Sequence, residues 1–321
     1  MTATCKLMTQ GVVFVVALAI VTFANLPGDN RLISEFQNTA HTFAFGFLAL
    51  LALASIRSTR RFKTTSILFQ YITAGVLCLF AGIGVEVIQV FTRRDADIWD
   101  VIRDCAGIIT FLGFYSLVDH HIVNADKRVT LTRSVIAAAS FLILLTALLP
   151  AGKITYAYIE RERAFPQLLD FDKNWYRSFI SPYDASLTIV SAPSGWSQDS
   201  GKSVARVTLQ AAVYSGIEVA DPHPDWSDFS ILSMKIYSTE AEPFPLALSI
   251  HDQQHNFAFN DRFNHRFDIK SGENEIRIPL TAIKAAPTGR EMDMRHIKTL
   301  LLFATRPQQG TTFYIVDMRL E

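Results

Sequence analysis

The sequence predicts a bundle of five transmembrane helices followed by an all-β jelly-roll sandwich. Three observations carry that expectation. Half of the 321 residues are hydrophobic, more than one soluble domain of this size would bury. Apolar runs of membrane-spanning length recur through the first 150 residues. Beyond Pro150 the texture changes to short β-type runs separated by Gly, Pro, Asn and Asp turns.

The apolar runs fall at residues 11–27, 41–56, 66–92, 101–118 and 132–150, each close to the roughly 20 residues that cross roughly 30 Å of hydrocarbon. The second is the shortest, but "HTFAFGFLALLALASI" contains no interior charge, and tilt or a thinned bilayer accommodates it. The first run lacks a small-x-small cleavage site and further spans follow it, so it is expected to remain as a helix. Residues 56–65 hold Arg57, Arg60, Arg61 and Lys63 without an acid, and residues 119–133 hold Lys127, Arg128 and Arg133. Those loops are expected on the cytoplasmic side, which puts the N-terminus inside and, after five crossings, the C-terminal half outside. The expected domains are 1–152 in the membrane and 160–321 outside it, joined by a short linker over about 151–160.

The later runs "SVARVTLQAAVY", "FSILSMKIYS", "FPLALSIHD", "ENEIRIPL", "HIKTLLLFATR" and "TTFYIVDMRLE" read as strands. In "ENEIRIPL", Ile276, Ile278 and Leu280 share one face while Glu275 and Arg277 share the other. Residues 281–296 are the candidate helix or long loop of this half. Net charge is zero and no basic stripe interleaves with aromatics, which argues against a nucleic-acid partner. Cys5, Cys78 and Cys105 all lie in the apolar half or at its edge, so the β half has no disulfide to form.

Between the third and fourth expected helices stands "EVIQVFTRRDADIWDVIRD", residues 86–104. Glu86 lies about six residues, or roughly 9 Å, below the expected helix end. A carboxylate at that depth faces a bundle interior or a wet cavity, because lipid exposure costs at least a few kcal/mol. Gln89 shares its face at i+3, Asp100 and Asp104 share a face of the next helix, and His41 opens the second helix on the same side of the membrane. These residues, with Arg94 and Asp97, are expected to converge on an outward-facing polar cavity. A structural reading stands beside this one: Asp97 caps the fourth helix and Glu86 pairs with Arg94 to fix packing. His120 and His121, at the cytoplasmic end of the fourth helix, are expected to complement its dipole.

The stretches His41-Thr-Phe-Ala-Phe45-Gly46, Glu86-Val-Ile-Gln89-Val-Phe, Arg94-Asp-Ala-Asp-Ile-Trp-Asp100 and Cys105-Ala-Gly107 resemble, in order, the motifs of VanZ-like membrane proteins over roughly residues 10–120. The polar members of those motifs correspond to His41, Glu86, Gln89, Arg94 and Asp100. Two departures stand out: Thr92 runs into Arg93 where the family has a Pro-Gly turn, leaving Arg93 and Arg94 as alternatives, and Asp104 replaces an Asn. The resemblance implies a multi-pass protein of the bacterial cytoplasmic membrane and an association with glycopeptide resistance.

His41 with Glu86 or Asp100 could serve as acid and base or bind a cation, but no nucleophile stands out and no metal-spacing motif such as H-E-x-x-H occurs. No cofactor or metal is expected. Arginine beside carboxylates suits a phosphate-bearing headgroup, so membrane lipid is an expected partner. The closing strands are similar to those of jelly-roll carbohydrate-binding modules with a galactose-binding-like fold. Candidate glycan contacts are Trp175, Trp226, His251, Asp252, Asn260 and Arg262, the last four in the run "HDQQHNFAFNDRFNHRF"; both tryptophans also suit a sandwich core. The leading expectation is a non-enzymatic envelope protein whose cavity engages a lipid-linked or glycopeptide-related ligand while the β domain meets glycan or glycolipid. An enzyme modifying such a lipid, with His41, Glu86 and Asp100 as its acid and base groups, and a scaffold for polysaccharide-export partners are the alternatives.

Overall fold

A computed structural model describes residues 9, 11–16, 28, 30–62, 64–91, 97–123, 130–193, 196 and 201–321. The chain divides into two compact units, Met1–Ile154 and Thr155–Glu321.

Four helices of the described residues are long and apolar enough to cross a membrane: α1 (Arg31–Ser58), α2 (Ile67–Phe91), α3 (Ile98–Val118) and α4 (Thr130–Ala164). Five were expected. The fifth is the run 11–27, of which residues 11–16 are helical and the remainder lies outside the described residues. Asn30 caps α1 by accepting a hydrogen bond from the Ile33 N–H at 2.9 Å, and Asp97 caps α3 by accepting from Trp99 N–H at 2.9 Å. Small residues set how closely α1, α2 and α3 approach. A methyl group added at Gly107 of α3 would lie 1.9 Å from the Thr42 carbonyl oxygen of α1, so backbone meets backbone there. Phe45, Leu48, Ala49 and Leu53 of α1 pack with Ala74 and Cys78 of α2 and Ile108 of α3 as the apolar core.

The expected linker over 151–160 is absent as a loop, because α4 continues through it to Ala164. The physical reason is in its composition: "ITYAYIERERA" is free of Gly and Pro, its charged residues are good helix formers, and Glu160 pairs with Arg163 at 2.8 Å across i,i+3.

The second unit is a sandwich of antiparallel strands: β1 (Gln167–Leu169), β2 (Ile180–Tyr183), β3 (Ala185–Ser191), β4 (Ser203–Leu209), β5 (Tyr214–Ala220), β6 (Ile231–Ser238), β7 (Phe244–Asp252), β8 (Phe263–Ile269), β9 (Gly272–Pro279), β10 (Ile297–Thr305) and β11 (Thr312–Leu320). One sheet runs β3-β4-β11-β6-β9 with β1 on β11, and the other runs β2-β5-β10-β7-β8. The eight strands β4–β11 are wound as β4-β11-β6-β9 over β5-β10-β7-β8, the order of a jelly roll. Leu246, Leu248 and Ile250 on β7 and Leu300 and Leu302 on β10 point inward with period two and meet Val207, Met234, Ile236 and Phe313 of the facing sheet. Within the stretch 281–296, a short helix, Leu280–Lys284, gives way to a loop.

Candidate functional site

Polar side chains collect at one end of the membrane-type unit, where the N-terminal part of α1, the C-terminal part of α2 and the start of α3 meet. Asp104 sits between all three. Its Oδ1 lies 3.2 Å from His41 Nδ1. A methyl at Gly82 of α2 would stand 2.6 Å from Asp104 Oδ2, so the glycine makes room for the carboxylate. His41 stacks on Phe45 at 6.3 Å, which seats the imidazole against the apolar core. Glu86 is 8 % exposed; its Oε2 accepts a hydrogen bond from the Asp97 N–H at 3.0 Å, while its Oε1 has no hydrogen-bond partner among the described residues. Leaving one oxygen of a buried carboxylate unpaired costs of order 1–3 kcal/mol.

The expected cavity residues thus fall into distinct contacts. His41 is brought to Asp104, and Glu86 to the backbone of Asp97. Asp100 is turned to Arg103, whose Nη1 donates to Asp100 Oδ1 at 2.6 Å. Gln89 is buried on the Glu86 side of α2, and Arg94 lies outside the described residues. Arg103 also faces Glu35 at 3.8 Å and Asp97 at 4.0 Å. Asp104, where the resembled motif has Asn, is the residue that completes the pair with His41.

The opposite end of the same three helices carries a second polar network that pattern reading missed. Arg57, at the end of α1, donates from Nη2 to Asp119 Oδ2 at 2.5 Å and from Nε to Gln70 Oε1 at 3.1 Å. Tyr71 donates to the same carboxylate oxygen at 2.8 Å, and the His121 N–H donates to Asp119 Oδ1 at 3.1 Å. Burial pushes the Asp119 carboxyl up, and the Arg57, Tyr71 and His121 hydrogen bonds outweigh it and hold it below the usual carboxylate range. Asp119, His120 and His121 bring one metal-ligating atom each within 4.8 Å of one another. Three donors hold the Asp119 carboxylate, which thereby clasps the ends of three helices. The available signal was weak: Arg57 and Asp119 are 62 residues apart.

In the β unit, Trp226 is fully buried with Nε1 donating to the His223 carbonyl at 2.7 Å, and Trp175 is buried edge-on to Phe179 at 5.9 Å. Both expected platforms are therefore core residues, because their large apolar area outweighs any display. Asp252 is buried and clamped by Arg290, whose Nη1 and Nη2 reach its two oxygens at 2.6 and 2.8 Å. Arg290 Nε also donates to Asp261 Oδ1 at 2.6 Å, and Asp261 Oδ2 accepts from the Asn256 N–H at 2.9 Å. These bonds hold the Asp261 carboxyl down at about 2. His251 stacks on His255 at 4.5 Å, and burial lowers the His251 imidazole from its ordinary value.

The β7–β8 connection so pinned displays Phe257 and Phe259, 93 % and 73 % exposed, with the Arg262 guanidinium 5.4 Å from the Phe259 ring centre. Phe257 has φ of 66°, uncommon for a bulky residue. Asn260 is exposed beside them. Neither phenylalanine stands out in the sequence, where the run is marked by its hydrogen-bonding residues.

The architecture defines a membrane-type helical unit continued into a jelly-roll sandwich. Residues 6–119 match the VanZ/LLP1 family model. No curated protein sequence matches the chain. Among solved structures, the β unit is similar to the family 11 carbohydrate-binding module from Clostridium thermocellum in complex with a beta-1,3-1,4-mixed-linked tetrasaccharide, at 18 % identity and TM-score 0.38, covering 48 % of this chain and 93 % of that one. It is also similar to an exo-beta-agarase (18 % identity, TM-score 0.40, 48 % of this chain and 24 % of that one). A third is the CBM22-1 xylan-binding domain from Paenibacillus barcinonensis (10 % identity, TM-score 0.33, 48 % and 94 %). The assignment of the sandwich rests on its own strand order and register.

Proposed function

We propose that the protein is a multi-pass component of the bacterial cytoplasmic membrane that holds the polar headgroup of a lipid-linked envelope ligand at the Glu86 end of its helical unit, while its jelly roll, outside the cytoplasm, engages saccharide. The single observation that carries the membrane half is the buried Glu86 Oε1 without a hydrogen-bond partner among the described residues, beside the His41–Asp104 pair. Such a group inside an apolar bundle is a place for a hydroxyl, amine or protonated phosphate to bind. The orientation follows the basic side chains Arg57, Arg60 and Arg61 at the clasped end.

For the sandwich, support comes from the exposed Phe257 and Phe259 on a pinned loop with Arg262 and Asn260 alongside. Flat apolar faces bordered by hydrogen-bonding groups suit a sugar ring, which has an apolar face and a hydroxyl rim. An acid–base enzyme is the second reading, favoured by the His41–Asp104 pair, in which the carboxylate fixes the imidazole for proton transfer.

Glu86→Gln tests both, since it keeps shape and removes charge. Loss of the co-purifying lipid, read by mass spectrometry of the full chain in mild detergent, supports the binding reading. Retention of the lipid with loss of the cellular phenotype supports the enzyme. An unchanged phenotype together with an unchanged lipid defeats both. For the sandwich, a glycan array probed with the full chain should lose signal on Phe257→Ala or Phe259→Ala, and silence of the parent chain defeats the saccharide reading.

A further inference from the structure

Helices α3 and α4 meet at small side chains. A methyl at Gly113 would stand 2.1 Å from Ser140 Oγ, and Thr110 Oγ1 donates to the Ser140 carbonyl at 3.4 Å. Away from that crossing, towards the start of α3 and Pro150 of α4, they border a groove of about 450 Å3. Its walls are Ile102 and Ala106 on one side and Leu142, Ile143 and Ala147 on the other, with Trp99 nearest the N-cap of α3 and Arg103 supplying a charge on the wall. In a segment of membrane-spanning hydropathy, an apolar groove of this kind is filled by a hydrocarbon chain.

The charges beside it say which lipid. Among the described residues Arg103 is met by three carboxylates, Asp100 at 2.6 Å, Glu35 at 3.8 Å and Asp97 at 4.0 Å, so these four side chains together carry excess negative charge. Glu35 Oε1 has no hydrogen-bond partner among the described residues, and half of the Asp97 side chain is open to solvent. An anionic headgroup meets repulsion there. A headgroup carrying both a phosphate and a primary ammonium places the first at Arg103 and the second at Glu35 or Asp97. We infer that the α3–α4 groove seats an acyl chain of a zwitterionic aminophospholipid whose phosphate and ammonium are read by Arg103 and by the carboxylates of Glu35 and Asp97. This rests on the reading that the acid-rich end of the helical unit meets lipid headgroups, and it adds the class of lipid.

The test uses the full chain, purified in mild detergent and offered equal amounts of phosphatidylethanolamine and phosphatidylglycerol of matched chains, with retained lipid read by native mass spectrometry. Phosphatidylethanolamine should be retained over phosphatidylglycerol by at least about fivefold, the scale of one charge-assisted contact. Ala147→Trp, which fills the groove, should abolish retention of both, and Arg103→Gln should erase the preference. Equal retention of the two lipids by the parent chain, or undiminished retention by a folded Ala147→Trp, overturns the inference. Should Ala147→Trp not fold, Ala106→Phe fills the same groove from α3 and is read the same way. Glu86 does not line the groove, so Glu86→Gln that keeps the lipid preference but changes no phenotype fails the headgroup-cavity reading alone. Loss of phenotype on Glu86→Gln with no lipid preference in the parent chain fails the groove alone.

Discussion

Arg290 does three jobs with one guanidinium: it neutralises the buried Asp252 carboxylate at both oxygens, it reaches Asp261 through Nε, and through Asp261 it fixes the turn that presents Phe257. Arg290→Ala leaves Asp252 buried without its counter-charge, a loss on the order of 3 kcal/mol. The expected outcome is a lower unfolding temperature of the sandwich and faster amide exchange over residues 253–262 of the full chain. The acid dependence has a definite sign. Asp261 is held at about 2 in the folded chain, below the roughly 3.9 of a free aspartate, so its contribution is complete above about pH 4 and is lost as pH falls towards 2. Protection factors over the same loop, corrected for the intrinsic pH dependence of amide exchange, should therefore be flat from neutral pH to about pH 4 and fall only below it. Individual roles were the least legible part of the sequence. His41 and Glu86 announce themselves as ionisable residues in apolar runs, but that His41 takes Asp104 and not Glu86 or Asp100 as partner depends on the helix rotation set by Gly82 and Gly107.

Helix pairs are set by where backbones can touch. At Gly107 the obstacle to a side chain is the Thr42 carbonyl, which cannot move aside, so Gly107→Ala must push α3 off α1 and separate His41 from Asp104. At Gly84 nothing lies within 4 Å of a would-be methyl. Gly84→Ala is expected to leave the unfolding temperature in detergent unchanged or to raise it, with a gain in stability of up to about 1 kcal/mol, whereas Gly107→Ala should lower the folded yield. At this scale the sequence was informative. Two of the four described spans, α2 and α3, follow from hydropathy within a few residues; α1 begins at Arg31, ten residues before its expected run, because its polar first turns are capped by Asn30, and α4 does not stop where its apolar stretch does. Strand alternation located most of the sandwich; the tryptophans were ambiguous because burial and display use the same side chain.

Across the whole molecule, the division into an apolar half and a β half is written in composition, and its placement in the cell is a separate question. If the β unit lies outside the cytoplasm, protease added to spheroplasts should remove it, leaving a membrane-protected fragment that ends near residue 164; protection of the β unit from protease would reverse the proposed orientation. What no pattern in the sequence foretold is that the helical unit's two ends are built so differently. Around Asp119 the carboxylate takes three donors, and the ends of α1 and α3 and the start of α2 are held together through Arg57, Gln70 and Tyr71. At the Glu86 end, Glu86 Oε1 and Glu35 Oε1 have no hydrogen-bond partner among the described residues. If the proposed ligand binds at the Glu86 end, any rearrangement that accompanies it should be larger at His41 than at Arg57, which the Asp119 network ties to two other helices.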